Sequence, residues 1–478
     1  MKSDKVAKNF FEKGNEQLAL GKYSEALANY NNCLRFVVNK TIESAAFAAR
    51  AEIFFKTGHY KQCIENNQSV EDLNNLIDKI EYLKNIEEKC KNANESVDER
   101  DEFFKLSLPK NEKIPFIANC LEVRENEMYG RFIATTQDLT PGSIVIIEEP
   151  FYKILSSTER NLRCAVCLKQ NALNLISCTK CSTAMFCSKK CADSTIHKYE
   201  CGTMEENFEK ALLRRMFYQA IDICGSLQEL EKLMNHHDPK KTIMNFDLND
   251  ADELKNFKNR MLATMTLAER EPWSSEAYAK YETVTRELKA ETEHEKDFLR
   301  NYLVHCLKSM TVNFFHFFWS SEEKAPGKGF AICSLAAYFA HSCDPNCDKV
   351  DFDNKFVFVA RKPIKKGEQL TICYDRYNFL THTLAERKEY FNRVYTFDCG
   401  CVACTHNYQK LCNLPKIDKE FVEPKVNHES FSAMKTQYTN NCEYIRDHIE
   451  QYPCYEICTL MNQNNHLLHS MGNFLALA

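Results

Sequence analysis

The sequence predicts a multidomain α+β chain: N-terminal helical repeats, a β-rich domain split by a cysteine-rich insert and a helical insertion, and closing C-terminal helices. Three observations carry that expectation. Residues 1–105 repeat a helical pattern, residues 164–201 hold eight metal-ligand side chains in four spaced pairs, and alternating apolar stretches lie on both sides of that insert. At 478 residues the chain is long enough for several cores. Gly and Pro number 12 each, about 5% together against a typical ~12%, so long uninterrupted helices should dominate.

The first element is a repeat. FFEKGNEQLALGKYSEALANYNNCL aligns with AARAEIFFKTGHYKQCIENNQSVEDL at an offset of 37 residues, matching Gly21, Tyr23 and Ala26 with Gly58, Tyr60 and Cys63. Small residues let paired helices approach while Tyr23 and Tyr60 fill the gap between them, and the stretch resembles tetratricopeptide repeats. Two repeats and a capping helix fit residues 1–105. Such a unit offers either a concave surface for partner peptides or packing support for the next domain.

Next, GRFIATTQDLTPGSIVIIEEPFY alternates apolar and polar residues around Thr140-Pro141-Gly142, the pattern of a β-hairpin. Beyond the cysteine-rich insert, FEKALLRRMFYQAIDIC and FLRNYLVHCLKSMTVNFFHFF carry helical periodicity through residue 318. KFVFVARKPIKKGEQLTICYD then returns to strands joined by a Gly turn. The insert therefore interrupts one β domain.

Twenty-four cysteines in a chain whose first residues lack the apolar core of an export signal are expected to stay reduced, which points to metal rather than disulfides. In CAVCLKQNALNLISCTKCSTAMFCSKKCADSTIHKYEC the candidate ligands pair as Cys164 with Cys167, Cys178 with Cys181, Cys187 with Cys191, and His197 with Cys201. Eight ligands make two tetrahedral zinc sets, and the i, i+4 pairs place both ligands on one helix face. Closed sets imply structural zinc, with no position left for substrate. Further on, YTFDCGCVAC supplies Cys399, Cys401 and Cys404, one ligand short of a third site. Cys343, in FAHSCDPNC, completes it and would pin that turn beside a strand carrying Tyr395 and Phe397. Cys347 in the same stretch reads as an ordinary buried thiol.

A formal net charge of −5, from 62 basic and 67 acidic residues, gives no basic footprint for direct nucleic-acid contact. The longest apolar run, residues 330–340, is far below the ~18 residues of a membrane span. The expectation is a monomer without membrane association, cytoplasmic and/or nuclear.

The insert, with its final H-x3-C, resembles a MYND finger. Ligands interleave in that family, which implies one zinc on Cys164, Cys167, Cys187 and Cys191 and another on Cys178, Cys181, His197 and Cys201. The motifs at 341–346 (HSCDPN), 367–374 (GEQLTICY) and 395–404 (YTFDCGCVAC) resemble those of SET domains, so the chain is similar to the SET and MYND domain family, in its class with N-terminal tetratricopeptide repeats. The resemblance implies repeats at 1–105, SET parts at 112–163 and 319–397, the finger at 164–201, a helical insertion at 202–318, post-SET cysteines at 398–404 and closing helices at 405–478.

The family transfers a methyl group from S-adenosylmethionine to a lysine amine of a histone or non-histone protein, with three structural zinc ions shaping the fold. By motif match, Tyr374 and Tyr395 take the catalytic hydroxyl positions. Phe397 packs on adenine, His341 presents backbone to its edge, and Arg131 and Asn313 contact the cofactor. The repeats and finger imply peptide partners. Two positions depart from the family: Ala340 replaces an Asn and Ala337 a Ser, each the loss of a polar cofactor contact. Two readings follow, a working protein-lysine N-methyltransferase and a catalytically weak or inactive scaffold that binds partners.

Overall fold

The computed structural model describes residues 2–474 apart from 72–76, 93–97, 128–129, 204–206, 239, 271–281, 283, 287, 289, 320–326 and 376. Helix and strand are mixed, with the helices concentrated at both ends and in the middle. The N-terminal part forms two helix pairs, Asp4–Ala19 with Tyr23–Phe36 and Lys40–Lys56 with Tyr60–Gln68, followed by the helix Ile77–Lys91. Gly21 and Gly58 serve the turns within these pairs, at φ +70° and +74°, where a side chain would be strained. Close approach falls elsewhere: a Cβ on Gly14 would stand 2.5 Å from the Tyr30 ring. Tyr30 therefore fills the gap, while Tyr23 and Tyr60 open the second helix of each pair and are half-buried.

The polar groups buried in these helices point at the segment that leads into the cysteine-rich insert. Asn31 Nδ2 donates to the carbonyls of Asn161 and Leu173 at 2.9 Å, and Arg50 Nη1 to that of Leu175 at 2.9 Å. Asn66 Nδ2 donates to Asn174 Oδ1 at 2.8 Å. Leu162 and Leu173 join the apolar core of the helices. Buried amides left unpaired would cost ~1–3 kcal/mol each, so this face of the helices packs against the chain's own residues 161–175.

Twelve strands follow among the described residues. β1 (Leu121–Asn126) and β2 (Gly130–Thr135) form a hairpin, and β5 (Ile176–Ser177) with β6 (Met185–Phe186) another inside the insert. β3 (Ile144–Glu148) pairs with β11 (Lys355–Ala360), itself paired with β10 (Cys347–Phe352). β4 (Tyr152–Leu155) and β7 (Phe314–Phe317) flank β8 (Gly329–Ile332), and the short β9 (Ala340–His341) runs parallel to β12 (Thr371–Ile372).

Two expectations are corrected here. No hairpin forms around Thr140–Gly142, because the backbone N–H groups of Thr135, Leu139 and Gly142 donate to Glu368, Ile364 and Ala360 instead, clamping the connection to a distant segment. The helix expected through residue 318 ends at Asn313. The aromatic run Phe314–Phe317 becomes an edge strand of the β4-β8-β7 sheet, where Phe317 is fully buried and stacks on Phe356 at 4.1 Å. Tertiary pairing overrides a helical period that was expected to run on to residue 318.

The helices Phe208–Cys224, Leu227–Asn235, Glu253–Met265 and Glu293–Asn313 share one large core with the strands. The helices Phe431–His448 and Tyr455–Gly472 cover the β3-β11-β10 sheet, where Phe431, Met434, Leu467 and Met471 meet Val350, Val357 and Val359. None of the helices in the described residues is long and apolar enough to cross a membrane.

At the end of β3, the buried Glu148 carboxylate accepts from the Ser334, Leu335 and Ala336 N–H groups at 2.7, 3.1 and 2.8 Å and from Ser334 Oγ at 2.8 Å. This fixes the start of the loop that carries Ala337, Ala340 and His341. A Glu148→Gln variant sets an amide NH2 against these donors and should lose about 2–4 kcal/mol of stability in a urea melt; an unchanged midpoint would refute that role for the carboxylate.

Candidate active site and metal centres

The twelve predicted ligands gather in three groups of four: Cys164, Cys167, Cys187 and Cys191; Cys178, Cys181, His197 and Cys201; and Cys343, Cys399, Cys401 and Cys404. Within each group all ligand atoms lie within 4.8 Å of one another. Tetrahedral zinc–thiolate bonds of ~2.3 Å place sulfurs ~3.8 Å apart, and Cys187–Cys191, Cys178–Cys201 and Cys343–Cys399 measure 3.7, 3.9 and 3.9 Å. The donor sets, four sulfurs twice and three sulfurs with one imidazole nitrogen once, fit structural zinc.

The local structure around the insert's last two pairs differs from a shared helix face. Cys187 precedes the helix Lys189–Ala192, which Ser188 caps by accepting from the Cys191 N–H, and Cys201 caps the end of Thr195–Glu200. In each pair one ligand stands at or beyond a helix end, Cys187 before the N-cap Ser188 and Cys201 at the C-cap.

A cavity of about 1120 Å³ opens beside the third metal group. Arg131, Asn313, His341, Tyr374, Tyr395 and Phe397 all line it, together with Ala337, Ala340, Cys399 and Cys401. Five separate stretches of chain thus converge. Asn313, buried at a helix end, donates its amide N–H groups to the Ala268 and Ser309 carbonyls at 2.7 and 2.8 Å. Arg131 donates to the carbonyls of Thr266 and Lys241 at 2.5 and 3.3 Å, and its guanidinium lies 5.4 Å from the Tyr338 ring centre.

The His341 ring packs 3.9 Å from Phe391 and 5.2 Å from Tyr374. Its Nδ1 accepts from the Tyr374 N–H at 3.3 Å and Nε2 lies 3.3 Å from Cys343 Sγ. Burial pulls its pKa down to about 3, so the imidazole is neutral and its role is packing.

Tyr374 follows β12 and is 37% exposed, because it lines both this cavity and a second one of about 440 Å³. Its hydroxyl donates to the Phe339 carbonyl at 2.8 Å, and desolvation pushes its pKa up to about 12. Tyr395 is not on a strand as expected. It ends the helix Leu384–Tyr395, and left-handed Thr396 (φ 56°) then turns the chain so that Phe397 enters the cavity. The Tyr395 hydroxyl donates to Asp375 Oδ2, which also receives Tyr390 at 3.0 Å, and the two ring centres of Tyr374 and Tyr395 are 5.4 Å apart. Burial, then the Asp375 charge, raises the pKa of the Tyr395 hydroxyl.

Sequence reasoning missed three residues here. Arg270 donates to the Tyr395 carbonyl at 2.9 Å and lines the cavity, but nothing in its surroundings marks it. Tyr452 donates to Asp344 from a closing helical segment 108 residues away. Asp375 adjoins Tyr374 in the chain, and that adjacency was the available signal.

The cavity beside the third cysteine group brings two tyrosines together, and the SET domain family model matches residues 130–375, more than half of the chain. A SET and MYND domain-containing protein of Dictyostelium discoideum is 26% identical over 332 residues, 60% of this chain and 82% of its own length. The histone-lysine N-methyltransferase SMYD3 of Homo sapiens is 24% identical over 287 residues, covering 58% and 59%. The protein-lysine N-methyltransferase SMYD4 of Pongo abelii is 20% identical over 509 residues, covering 83% and 62%. The chain belongs to the SET and MYND domain-containing family. It spans less than two thirds of the two named methyltransferases.

Elemental analysis should find three zinc ions per chain, and Cys343→Ser should lose one of them. Two ions in the parent protein would refute the third centre.

Proposed function

We propose that this chain is an S-adenosylmethionine-dependent protein-lysine N-methyltransferase acting on histone or non-histone proteins. The observation that carries the reading is the meeting of Tyr374 and Tyr395 in one aromatic cavity with Arg131, Asn313, His341 and Phe397. That set fits the cofactor: an aromatic face at Phe397 for adenine, backbone groups at His341 for its edge, an amide at Asn313 and a guanidinium at Arg131 for a carboxylate. When bound, S-adenosylmethionine supplies a methyl group on a sulfonium leaving group.

The residues do the remaining work by position. Both tyrosine hydroxyls spend their protons on the protein, on the Phe339 carbonyl and the Asp375 carboxylate. Their oxygen lone pairs are thereby left to accept from the incoming amine and to aim it. The surrounding rings of Phe391, Phe397 and His341 exclude water and disfavour a charged lysine, which must be neutral to act as nucleophile. Structural zinc at the three centres holds this geometry and takes no part in the transfer.

On this reading residues 1–105 are tetratricopeptide-like repeats and 164–201 a MYND finger inserted, with the helical 202–318, between SET parts at 112–163 and 319–397. Residues 398–404 are the post-SET cysteines and 405–478 the closing helices. The protein works as a monomer in the cytoplasm and/or nucleus, on protein substrates bearing a target lysine, with peptide partners for repeats and finger.

One observation favours a second reading, a scaffold of weak or no activity. Ala337 and Ala340 present methyl groups on the cavity wall, and each missing polar contact lowers affinity about tenfold or more. Titration calorimetry of the zinc-loaded protein with S-adenosylmethionine and its demethylated product decides between the two: micromolar binding is expected, and no detectable heat would leave the scaffold. Ala340→Asn should tighten binding about tenfold; unchanged affinity would place that amide outside the pocket.

A further inference from the structure

Each lysine methylation releases one proton, which has to leave from beside the two tyrosines. Asp375 lies on the other side of the tyrosines. It lines the second cavity, of about 440 Å³, and is absent from the wall of the first, whereas Tyr395 lines the first and Tyr374 both. Its Oδ2 receives the Tyr395 and Tyr390 hydroxyls. Among the described residues no lysine, arginine or histidine forms an ion pair with it, and its Oδ1 accepts no hydrogen bond.

The neighbouring carboxylates of the second cavity are occupied differently. Asp348 is held by Arg361 at 3.0 Å and Asp344 by Lys362 at 2.6 Å. Among the described residues Asp375 is thus a carboxylate hydrogen-bonded to tyrosines alone, on the wall of the second cavity and one hydrogen bond away from the first.

We propose that Asp375 is the proton exit of the methyl-transfer site, taking the proton of the target ammonium through the Tyr395 hydroxyl and releasing it into the second cavity. This rests on the methyltransferase reading above. In the step, an N–H bond of the ammonium breaks as an O–H bond forms at Tyr395 Oη, and the hydroxyl's original proton passes to Asp375 Oδ2. The nitrogen keeps its electron pair, Tyr395 ends as neutral as it began, and Asp375 gives its proton to water on the second-cavity side. No oxidant or further reactant is needed. The hydrogen bond from Tyr395 to Asp375 already points in the direction the proton would travel.

Among the described residues the second cavity also carries Lys349, His466 and His469, and the groups nearest the pair are aromatic. The helix Leu384–Tyr395 contributes Tyr390, with Arg393 6.0 Å from that ring's centre. Tyr377 stacks on Tyr390 at 3.6 Å and on His382 at 4.1 Å, and Tyr374 stands beside Tyr395 with the neutral His341 behind it. Burial first, and the Asp375 charge second, raise the pKa of both tyrosine hydroxyls it accepts.

Asp375→Asn separates this role from a merely structural one, because the amide oxygen still accepts from both tyrosines while the proton acceptor is lost. Parent and variant are assayed with methyl-labelled S-adenosylmethionine on a library of lysine-centred peptides from pH 6.5 to 10. The variant should lose about a hundredfold in kcat at pH 7 and recover towards the parent near pH 10, where the amine arrives neutral, with KM and cofactor Kd near the parent's. A second measurement needs no turnover: ultraviolet titration of the unliganded variant should show tyrosine ionisation at lower pH than in the parent.

A variant with the parent's pH profile overturns the exit while leaving the methyltransferase reading intact. A tyrosine titration identical to the parent's overturns the Tyr395–Asp375 contact on which the exit depends. A parent protein that binds cofactor and methylates no peptide overturns the reading and the exit together.

Discussion

Four sulfur atoms, from Cys343, Cys399, Cys401 and Cys404, meet within 4.8 Å in a largely buried site. Four thiols gathered so closely need a cation to draw them together as thiolates, and a divalent metal turns their mutual repulsion into attraction. That junction ties the turn at 341–346 to the chain beyond the helix Leu384–Tyr395. His341 and Tyr374 come from one side of it, Tyr395 and Phe397 from the other, and Cys399 and Cys401 form part of the cavity wall. The Cys343 carbonyl also accepts from the Phe379 N–H at 3.1 Å, which anchors the segment after Tyr374. A metal at this junction would crosslink the segments that carry the two tyrosines.

The rest of the molecule supports the junction by polar contacts as well as by apolar packing. Glu148 holds the loop before it. Asn346 bridges that turn to the strand below, its Nδ2 donating to the Gln369 carbonyl at 2.8 Å and its Oδ1 accepting from the Thr371 N–H at 2.8 Å. The closing helices reach the sheet so tightly that a Cβ on Gly472 would stand 2.6 Å from the Asp351 carbonyl. Each contact is satisfied in the folded state and costly to break singly, which fixes the shape of the cavity wall.

Much of this was legible in the residues. Cysteine spacing carries metal geometry directly, so the ligands could be named in order, and short motifs located both tyrosines and Phe397. What escaped was register and partnership. The Thr140–Gly142 stretch has the alternation of a hairpin, but alternation does not say which strand will be the neighbour, and β3 chose β11 over β2. The aromatic run Phe314–Phe317 fits a helix by period and a strand by composition, and pairing with β8 decided it. Asp375 and Arg270 carried no spacing or periodicity of their own.

The sequence by itself determined the local chemistry of this protein: which side chains are spaced to hold metal and which rings can line a pocket. These follow from covalent spacing and backbone sterics, which act over a few residues. Only the tertiary structure decided that the polar face of the N-terminal helices packs on residues 161–175, that Tyr395 ends a helix and that its hydroxyl lands on Asp375. Those outcomes are set by burial and hydrogen-bond satisfaction between segments 20 to 142 residues apart, and no local pattern encodes which distant partner will complete them.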